Sequence, residues 1–185
     1  YILTTMETQN KSFNDVLDDA KKRGFTSDNE SKLDIGGYDA AHKLTLLSTI
    51  AFGGNVDFNL NQVEGIEKVT IEDINFVKHL GFRIKLISES FLIDNMICSS
   101  TKPKLIPLDK PLANVDGALN AINVETDQLE NLYLEGEGAG GLATASSILS
   151  DIFEISNNSN FRSIGYNIND LKNYQKFDSS NLESK

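Results

Sequence analysis

The spacing of apolar residues predicts four helices along the chain. In the first, apolar positions recur at helical intervals after Ser12, which stands three residues before Asp15 in a capping-box pattern. The second is apolar on most of its faces and ends at Gly53, which is typical of a helix buried between other elements. The third follows Thr70 and stops at Gly81, and the fourth follows a glycine-rich stretch. These helices are predicted over residues 13–23, 38–52, 71–80 and 143–153.

Alternation of apolar and polar residues predicts β-strands in the middle of the chain. Residues 82–86 alternate between apolar and basic side chains, which is the pattern of a strand with one covered face. Residues 26–32 are polar without periodicity and are predicted to form a loop. Runs of helix followed by runs of strand favour an α+β domain, with a largely antiparallel sheet covered by helices. Further strands are predicted over residues 91–98, 118–124 and 129–134, with a turn at residues 126–128.

Composition narrows the classes of function. The 185 residues carry 17 basic and 27 acidic side chains, a net charge of −10, which argues against binding of nucleic acid or anionic membranes. No apolar run approaches the roughly 18–20 residues that a membrane span needs, and the first residues lack the pattern of a signal peptide. Cys98 is the single cysteine, so we expect no intramolecular disulfide, no closed zinc site and a cytoplasmic location.

Three charged residues near the second predicted helix form the first candidate site. Asp39 and Lys43 are four positions apart and share one face of that helix, and Asp34 precedes it across Gly36-Gly37. A lysine held by carboxylates can act as a general acid toward a carbonyl or alcohol oxygen, because burial and neighbouring charges tune its pKa. Spacing alone favours an ordinary surface ion pair worth a few tenths of a kcal/mol, whereas the apolar residues around the pair favour a buried one.

The glycine-rich stretch at residues 136–141 is the second candidate site. It matches the dinucleotide fingerprint G-x-G-x-x-G and precedes the fourth predicted helix, whose N-terminus could hold a phosphate. A Rossmann unit also needs a second parallel strand that ends in an acidic residue about 20 positions later, and that region is rich in asparagine here. We therefore expect a loop that touches a ligand held mainly by another part of the protein.

Several motifs, taken in order, resemble those of the homoserine dehydrogenase family. Residues 34–43 fit the family's core pattern D-[LIVM]-x-G-x-D-x-x-x-K, and residues 1–4 resemble the end of its N-G-T-x-N-Y-I-L segment. The resemblance covers about residues 1–177. Further matching stretches are residues 63–66, 73–86, 111–121 and the glycine-rich loop with residues 144–146.

This resemblance implies a reaction and a set of site residues. The reaction is the NAD(P)-linked interconversion of L-homoserine and L-aspartate 4-semialdehyde, in the pathway to threonine, methionine and isoleucine. It implies that Lys43 donates a proton to the aldehyde oxygen, that Asp39 positions Lys43, and that Asp34 binds the substrate. A homodimer is implied as well, and we expect no metal site within these 185 residues. The implied cofactor contacts are Gly138, Ala139 and Gly140.

The segment before Asp34 departs from the family pattern. In the family, an acidic residue in a G-Y-x-E-x-D-P stretch binds the substrate amino group. Residues 24–31 have one residue more and no proline, so two acidic residues compete for this role. Asp28 keeps the usual six-residue spacing to Asp34 and is favoured over Glu30.

The family's N-terminal Rossmann domain has no counterpart in these 185 residues. The resemblance therefore implies that residues 1–135 are the substrate-binding and dimerisation domain of a two-domain dehydrogenase. Residues 136–155 would return toward the nucleotide domain, and residues 156–185 would form a linker and tail. We expect the chain to be inactive alone. The alternatives are a non-catalytic module derived from this family and an independent nucleotide-binding protein that uses the glycine loop.

Overall fold

A computed structural model describes residues 1–27, 31–128, 130–138, 140–157 and 167–176. Helices and strands alternate in blocks along these ranges. The helices are α1 Ile2–Gln9, α2 Phe13–Lys22, α3 Ser31–Ile35, α4 Tyr38–Phe52, α5 Ile71–His79 and α6 Gly141–Asn157. The strands are β1 Gly54–Asn55, β2 Asn61–Val63, β3 Phe82–Ile93, β4 Met96–Pro107, β5 Leu119–Glu125, β6 Asn131–Glu137, β7 Lys172–Asn173 and β8 Gln175–Lys176. Short 3-10 helices lie at Phe58–Leu60, Pro111–Asn114 and Ile168–Asp170.

Local capping explains why the predicted helices form where they do. The Ser12 hydroxyl accepts a hydrogen bond from the backbone N–H of Asp15 and begins α2. Thr70 and Asp73 form a reciprocal capping box at the start of α5. Gly53 ends α4 with a φ of 63°, in the left-handed region that favours glycine. The four predicted helices are confirmed within a few residues, whereas α1 and α3 were not predicted.

A tight turn divides one of the predicted strands. Residues 91–98 were expected to form a single strand, and this expectation is wrong. Asp94 and Asn95 have φ values of 47° and 65° and connect β3 to β4. Two successive residues with positive φ make the kind of turn whose twist suits a two-residue hairpin, and aspartate and asparagine tolerate that conformation. The apolar residues on both sides concealed the turn in the sequence.

The sheets confirm the α+β class. One sheet has the order β2-β4-β3, and β8 also pairs with β4. The long strands β3 and β4 form a hairpin, and β5 pairs antiparallel with β6 over seven residues. The parallel pairings are short: β1 with β7, β2 with β4, and β4 with β8. Strands β7 and β8 therefore bring part of the predicted tail into the fold.

Two compact units divide the described chain. Unit 1 holds α1, α2, α5, the β5–β6 hairpin and α6, and its core includes Met6, Val16 and Ile74. Unit 2 holds α3, α4, β1, β2, β7 and β8, and its core includes Ala41 and Ile97. The strands β3 and β4 contribute residues to both units. No helix in the described ranges has the length and apolar character that crossing a membrane requires.

Candidate functional site

Helix α4 presents Asp39 and Lys43 on its exposed side. Asp39 lies in the first turn, where a carboxylate is favoured by the positive end of the helix. Its Oδ2 accepts a hydrogen bond from Nζ of Lys43 at 2.5 Å. The two side chains are 47% and 69% exposed, respectively. The structure thus brings the predicted pair together and leaves the ammonium group of Lys43 accessible to a ligand.

Helix α4 is not buried on all sides, as its composition had suggested. Ala41 and Ser48 are buried on one face. Leu46, Leu47 and Ile50 are exposed, and helical spacing places them on the same face as the ion pair. The prediction of a fully buried helix is wrong for this chain, because the described residues cover only one side of α4. The candidate catalytic pair therefore lies at the end of an uncovered apolar stripe.

Asp34 lies in the short helix α3, Ser31–Ile35, which was not predicted. The polar stretch predicted as a loop over residues 26–32 gives way to this helix at Ser31. The backbone carbonyl of Asp34 accepts a hydrogen bond from the N–H of Gly37 at 3.2 Å. Gly37 then begins α4 with a φ of 79°, in the region open to glycine. Asp34 and Asp39 consequently stand on either side of one tight corner.

The glycine at position 65 packs directly against that corner. A Cβ added to Gly65 would lie 2.3 Å from the carbonyl oxygen of Ile35 and 2.6 Å from Cα of Gly36. The N–H of Ile66 donates to the same Ile35 carbonyl at 2.8 Å. Such close backbone contact leaves the α3–α4 corner little freedom to shift, so the two carboxylates that flank the corner are held by packing of the main chain.

The glycine-rich loop lies in unit 1 and joins β6 to α6. Because β6 pairs antiparallel with β5, the strand before the loop belongs to a hairpin and not to a Rossmann βαβ unit. The N–H of Gly138 donates to the Ala118 carbonyl at 3.1 Å, and the Asn120 side chain occupies the space that a Cβ on Gly138 would need. Gly140, by contrast, has nothing within 4 Å of an added Cβ.

Two of the predicted site residues, Asp28 and Ala139, lie outside the described residues. The competing residue Glu30 lies outside them as well. Among the residues that the structure does describe, no group of three or more histidine, cysteine, aspartate or glutamate side chains is arranged to hold a metal ion.

A buried charge network in unit 1 was not predicted. The guanidinium of Arg83 contacts the carboxylate of Glu7 at 2.9 Å and that of Asp116 at 3.2 Å. Nζ of Lys85 donates to the Val115 carbonyl at 2.6 Å and to the Thr4 hydroxyl at 3.2 Å. Burial lowers the pKa of Lys85, and the Asp116 carboxylate opposes this effect. The alternation in residues 82–86 placed both basic side chains on one face, but nothing in the sequence indicated their partners.

Comparison with known proteins identifies a family. A family model described as homoserine dehydrogenase matches residues 1–153. The homoserine dehydrogenase of Neisseria gonorrhoeae is 39% identical over 155 residues, which are 84% of this chain and 35% of that protein. The homoserine dehydrogenase of Helicobacter pylori is 37% identical over 166 residues, 90% of this chain and 39% of that protein. The chain thus spans well under half the length of these relatives.

Solved structures give the same family. A homoserine dehydrogenase from Thiobacillus denitrificans superimposes with a TM-score of 0.81 at 36% identity, covering 92% of this chain and 41% of that one. A mutant of a hyperthermophilic archaeal homoserine dehydrogenase, in complex with NADPH, superimposes with a TM-score of 0.64 at 29% identity. That alignment covers 88% of this chain and 46% of the archaeal chain.

Proposed function

The chain belongs to the homoserine dehydrogenase family, and from this we propose that it is the substrate-binding and dimerising portion of an NAD(P)-dependent homoserine dehydrogenase. The reaction is the interconversion of L-homoserine and L-aspartate 4-semialdehyde, carried out in the cytoplasm. The observation that carries the proposal is the Asp39–Lys43 pair, which is formed and accessible at the position of the family motif.

Lys43 is proposed as the proton donor. Reduction of an aldehyde requires a hydride at the carbon and a proton at the oxygen, and the bound nicotinamide cofactor supplies the hydride. The ammonium group of Lys43 gives its proton to the oxygen, and in the direction of oxidation the neutral amine takes the proton of the hydroxyl. Asp39 keeps Nζ of Lys43 in one position through their 2.5 Å contact. General acid catalysis of this kind contributes roughly 10²–10⁴-fold to the rate.

The carboxylates before α4 are proposed to bind the substrate. L-Homoserine and the semialdehyde both carry a positively charged amino group, for which a carboxylate is the natural partner. Asp34, at the corner that precedes α4, is proposed as one substrate ligand. Asp28 is proposed as the residue that binds the amino group, in preference to Glu30. The rigid corner supports this role, because it fixes the position of Asp34 relative to the start of α4.

One end of the glycine-rich loop fits contact with a nicotinamide cofactor. The open space around Gly140 and Gly141 leaves the backbone at the N-terminus of α6 free to approach a phosphate group. The N–H of Gly138 already donates to the Ala118 carbonyl, and the Asn120 side chain lies close to Gly138. We therefore favour Gly140, with its neighbour Ala139, for the cofactor contact and give Gly138 a part in closing the hairpin.

The exposure of the catalytic pair supports the expectation that the chain is inactive alone. Hydride transfer proceeds in a site from which water is excluded, whereas Lys43 and the stripe of Leu46, Leu47 and Ile50 are open to water here. Helix α6 is similarly uncovered: its large apolar residues are exposed, and Leu142 reaches 91%. We propose that a nucleotide-binding domain covers α6, so that residues 136–155 return toward that domain.

The test uses a chimera in which this chain replaces the matching segment of the Neisseria gonorrhoeae relative. The chimera should oxidise homoserine, and Lys43→Ala should lower kcat by roughly 10²–10⁴-fold. Lys68→Ala is the matched control, because Lys68 is another exposed lysine of unit 2, and its kcat should be unchanged. A folded chimera without turnover would favour the alternative, a non-catalytic module. A Lys43→Ala variant within a few-fold of the parent would refute the assignment of the proton donor.

A further inference from the structure

Two basic side chains of β3, Arg83 and Lys85, hold the segment that precedes the β5–β6 hairpin. The guanidinium of Arg83 donates to the Ala113 carbonyl at 2.9 Å, and Nζ of Lys85 donates to the Val115 carbonyl at 2.6 Å. The two cations also lie 3.2 Å and 3.3 Å from Oδ1 of Asp116. Hydrogen bonds that involve an ionised group are roughly twice as strong as neutral ones, so this segment is held firmly against β3.

The contacts of Asp116 differ from an ordinary surface ion pair because both of its cationic partners are largely buried. The side chains of Arg83 and Lys85 are 17% and 12% exposed, whereas that of Asp116 is 47% exposed. Salt screens buried charges much less than exposed ones, and a buried cation that loses its partner is strongly destabilised. Two buried cations therefore constrain the position of Asp116.

Asp116 leads directly into the turn that holds the glycine-rich loop. Its backbone carbonyl accepts a hydrogen bond from the N–H of Leu119 at 3.2 Å, which closes a turn around Gly117, whose φ is 64°. Within this turn, the carbonyl of Ala118 accepts the N–H of Gly138 at 3.1 Å. A single residue thus separates the carboxylate held by β3 from the carbonyl that holds the loop.

The glycine-rich loop has one held end and one open end. At the held end, Gly138 bonds to Ala118, and the Asn120 side chain occupies the space that a Cβ on Gly138 would need. At the open end, an added Cβ on Gly140 meets nothing within 4 Å. The two glycines are two residues apart, so the position of Gly138 limits where the backbone at Gly140 can lie.

We propose that Asp116, held by Arg83 and Lys85, is a positioning residue that fixes the glycine-rich loop for contact with the nicotinamide cofactor. This inference rests on the proposed function, which assigns the cofactor contact to Gly140. Ordering a loop on binding costs free energy and weakens affinity, and a loop that is already anchored avoids that cost. Loss of the anchor should therefore weaken cofactor binding and leave homoserine binding unchanged.

Amide hydrogen exchange of the chain, followed by NMR, tests the anchor without any cofactor. Asp116→Asn keeps the shape of the side chain and removes its charge, and the Gly138 amide should then exchange roughly tenfold faster. Glu7→Gln is the matched control, because it makes the same change at the other carboxylate that contacts Arg83. Its Gly138 amide should exchange at the parent rate. Unchanged exchange in Asp116→Asn, or equal acceleration in both variants, would overturn the proposal.

The chimera described above gives a second measurement. In Asp116→Asn, the KM for NAD(P)+ should rise roughly tenfold, while kcat and the KM for homoserine stay at the parent values. In Glu7→Gln, all three should stay unchanged, although Glu7 is the more buried carboxylate and its loss should destabilise the fold more. A cofactor KM that follows stability in the two variants would show that Asp116 acts through the fold alone and would contradict the proposal.

A pair of lysine variants tests the partner of Asp116. Lys85→Met keeps the aliphatic stem and removes the ammonium group, so it should raise the dissociation constant of NAD(P)H, measured by nucleotide fluorescence. Lys78→Met is the control, since Lys78 pairs with Glu7 and is 52% exposed, and its dissociation constant should match the parent. Equal affinities in the two variants would contradict the role of Lys85. Exchange and binding do not require turnover, so failure of this inference is distinguishable from failure of the proposed reaction.

Discussion

At the scale of residues, two ion pairs of similar chemistry have different surroundings. The Asp39–Lys43 pair is largely open to solvent, so it contributes a few tenths of a kcal/mol to stability and its ammonium group can serve a ligand. The side chains of Glu7 and Arg83 are only 6% and 17% exposed. Each of these buried charges depends on its partner, because an unpaired ion in the interior is far less stable than one in water.

We therefore predict that Glu7→Gln lowers the free energy of unfolding by roughly 2–3 kcal/mol. The amide keeps the size of the side chain, but it removes the negative charge that faces Arg83 and Lys78. Urea denaturation followed by circular dichroism measures the change. Lys43→Ala serves as the control and should cost less than about 0.5 kcal/mol, because its ion pair is exposed. If both variants lost the same free energy of unfolding, burial of the charge network would not contribute to stability.

At the scale of elements, sequence patterns within a few residues predicted helix boundaries and one contact, whereas contacts between residues far apart in the chain were not predicted. Capping residues fixed the starts of α2 and α5, and a glycine fixed the end of α4. The i to i+4 spacing of Asp39 and Lys43 likewise predicted their contact, because residues four apart lie next to each other on one face of a helix. Contacts between distant segments were beyond such reasoning: nothing local to Glu7 indicates Arg83, 76 positions later.

The short helix α3, the exposed side of α4 and the corner between them were not predicted, for a related reason. The five-residue helix α3 is too short to carry a helical period, and its first two residues fell within the predicted loop. The exposed stripe of α4 was also missed, because apolar composition shows that a surface needs covering without showing what covers it. The corner between α3 and α4 depends on Gly65, whose role follows only from tertiary packing.

We predict that Gly65→Ala destabilises the corner that flanks the candidate site. Its Cβ would overlap the backbone of Ile35 and Gly36, which cannot move aside as a side chain can. The expected loss is roughly 1–3 kcal/mol, measured by urea denaturation, together with a higher KM for homoserine in the chimera. Gly136→Ala is the control, because Gly136 lies in β6 and a Cβ there meets nothing within 4 Å. Unchanged stability and KM in Gly65→Ala would show that the corner is not held by this contact.

At the scale of the whole molecule, the exposed apolar surfaces of the β5–β6 hairpin and of α6 differ in form. The β5–β6 hairpin has a sheet face on which Ile122 and Leu134 are exposed, whereas α6 has a long helical stripe that includes Leu149 and Phe153. No side chain of α6 is buried among the described residues. Helices in proteins owe most of their stability to packing of an apolar face, so α6 alone should be among the least stable elements of this chain.

Hydrogen exchange tests this expectation directly. In the isolated chain, amides of α6 should exchange much faster than those of α2, whose Val16 and Ala20 are buried. In the chimera, which adds the rest of the relative and with it the proposed nucleotide-binding domain, protection of α6 should rise toward that of α2. Protection of α2 itself should stay unchanged, so α2 serves as the internal control. Strong protection of α6 in the isolated chain, or no gain in the chimera, would mean that the nucleotide-binding domain is not what covers this helix.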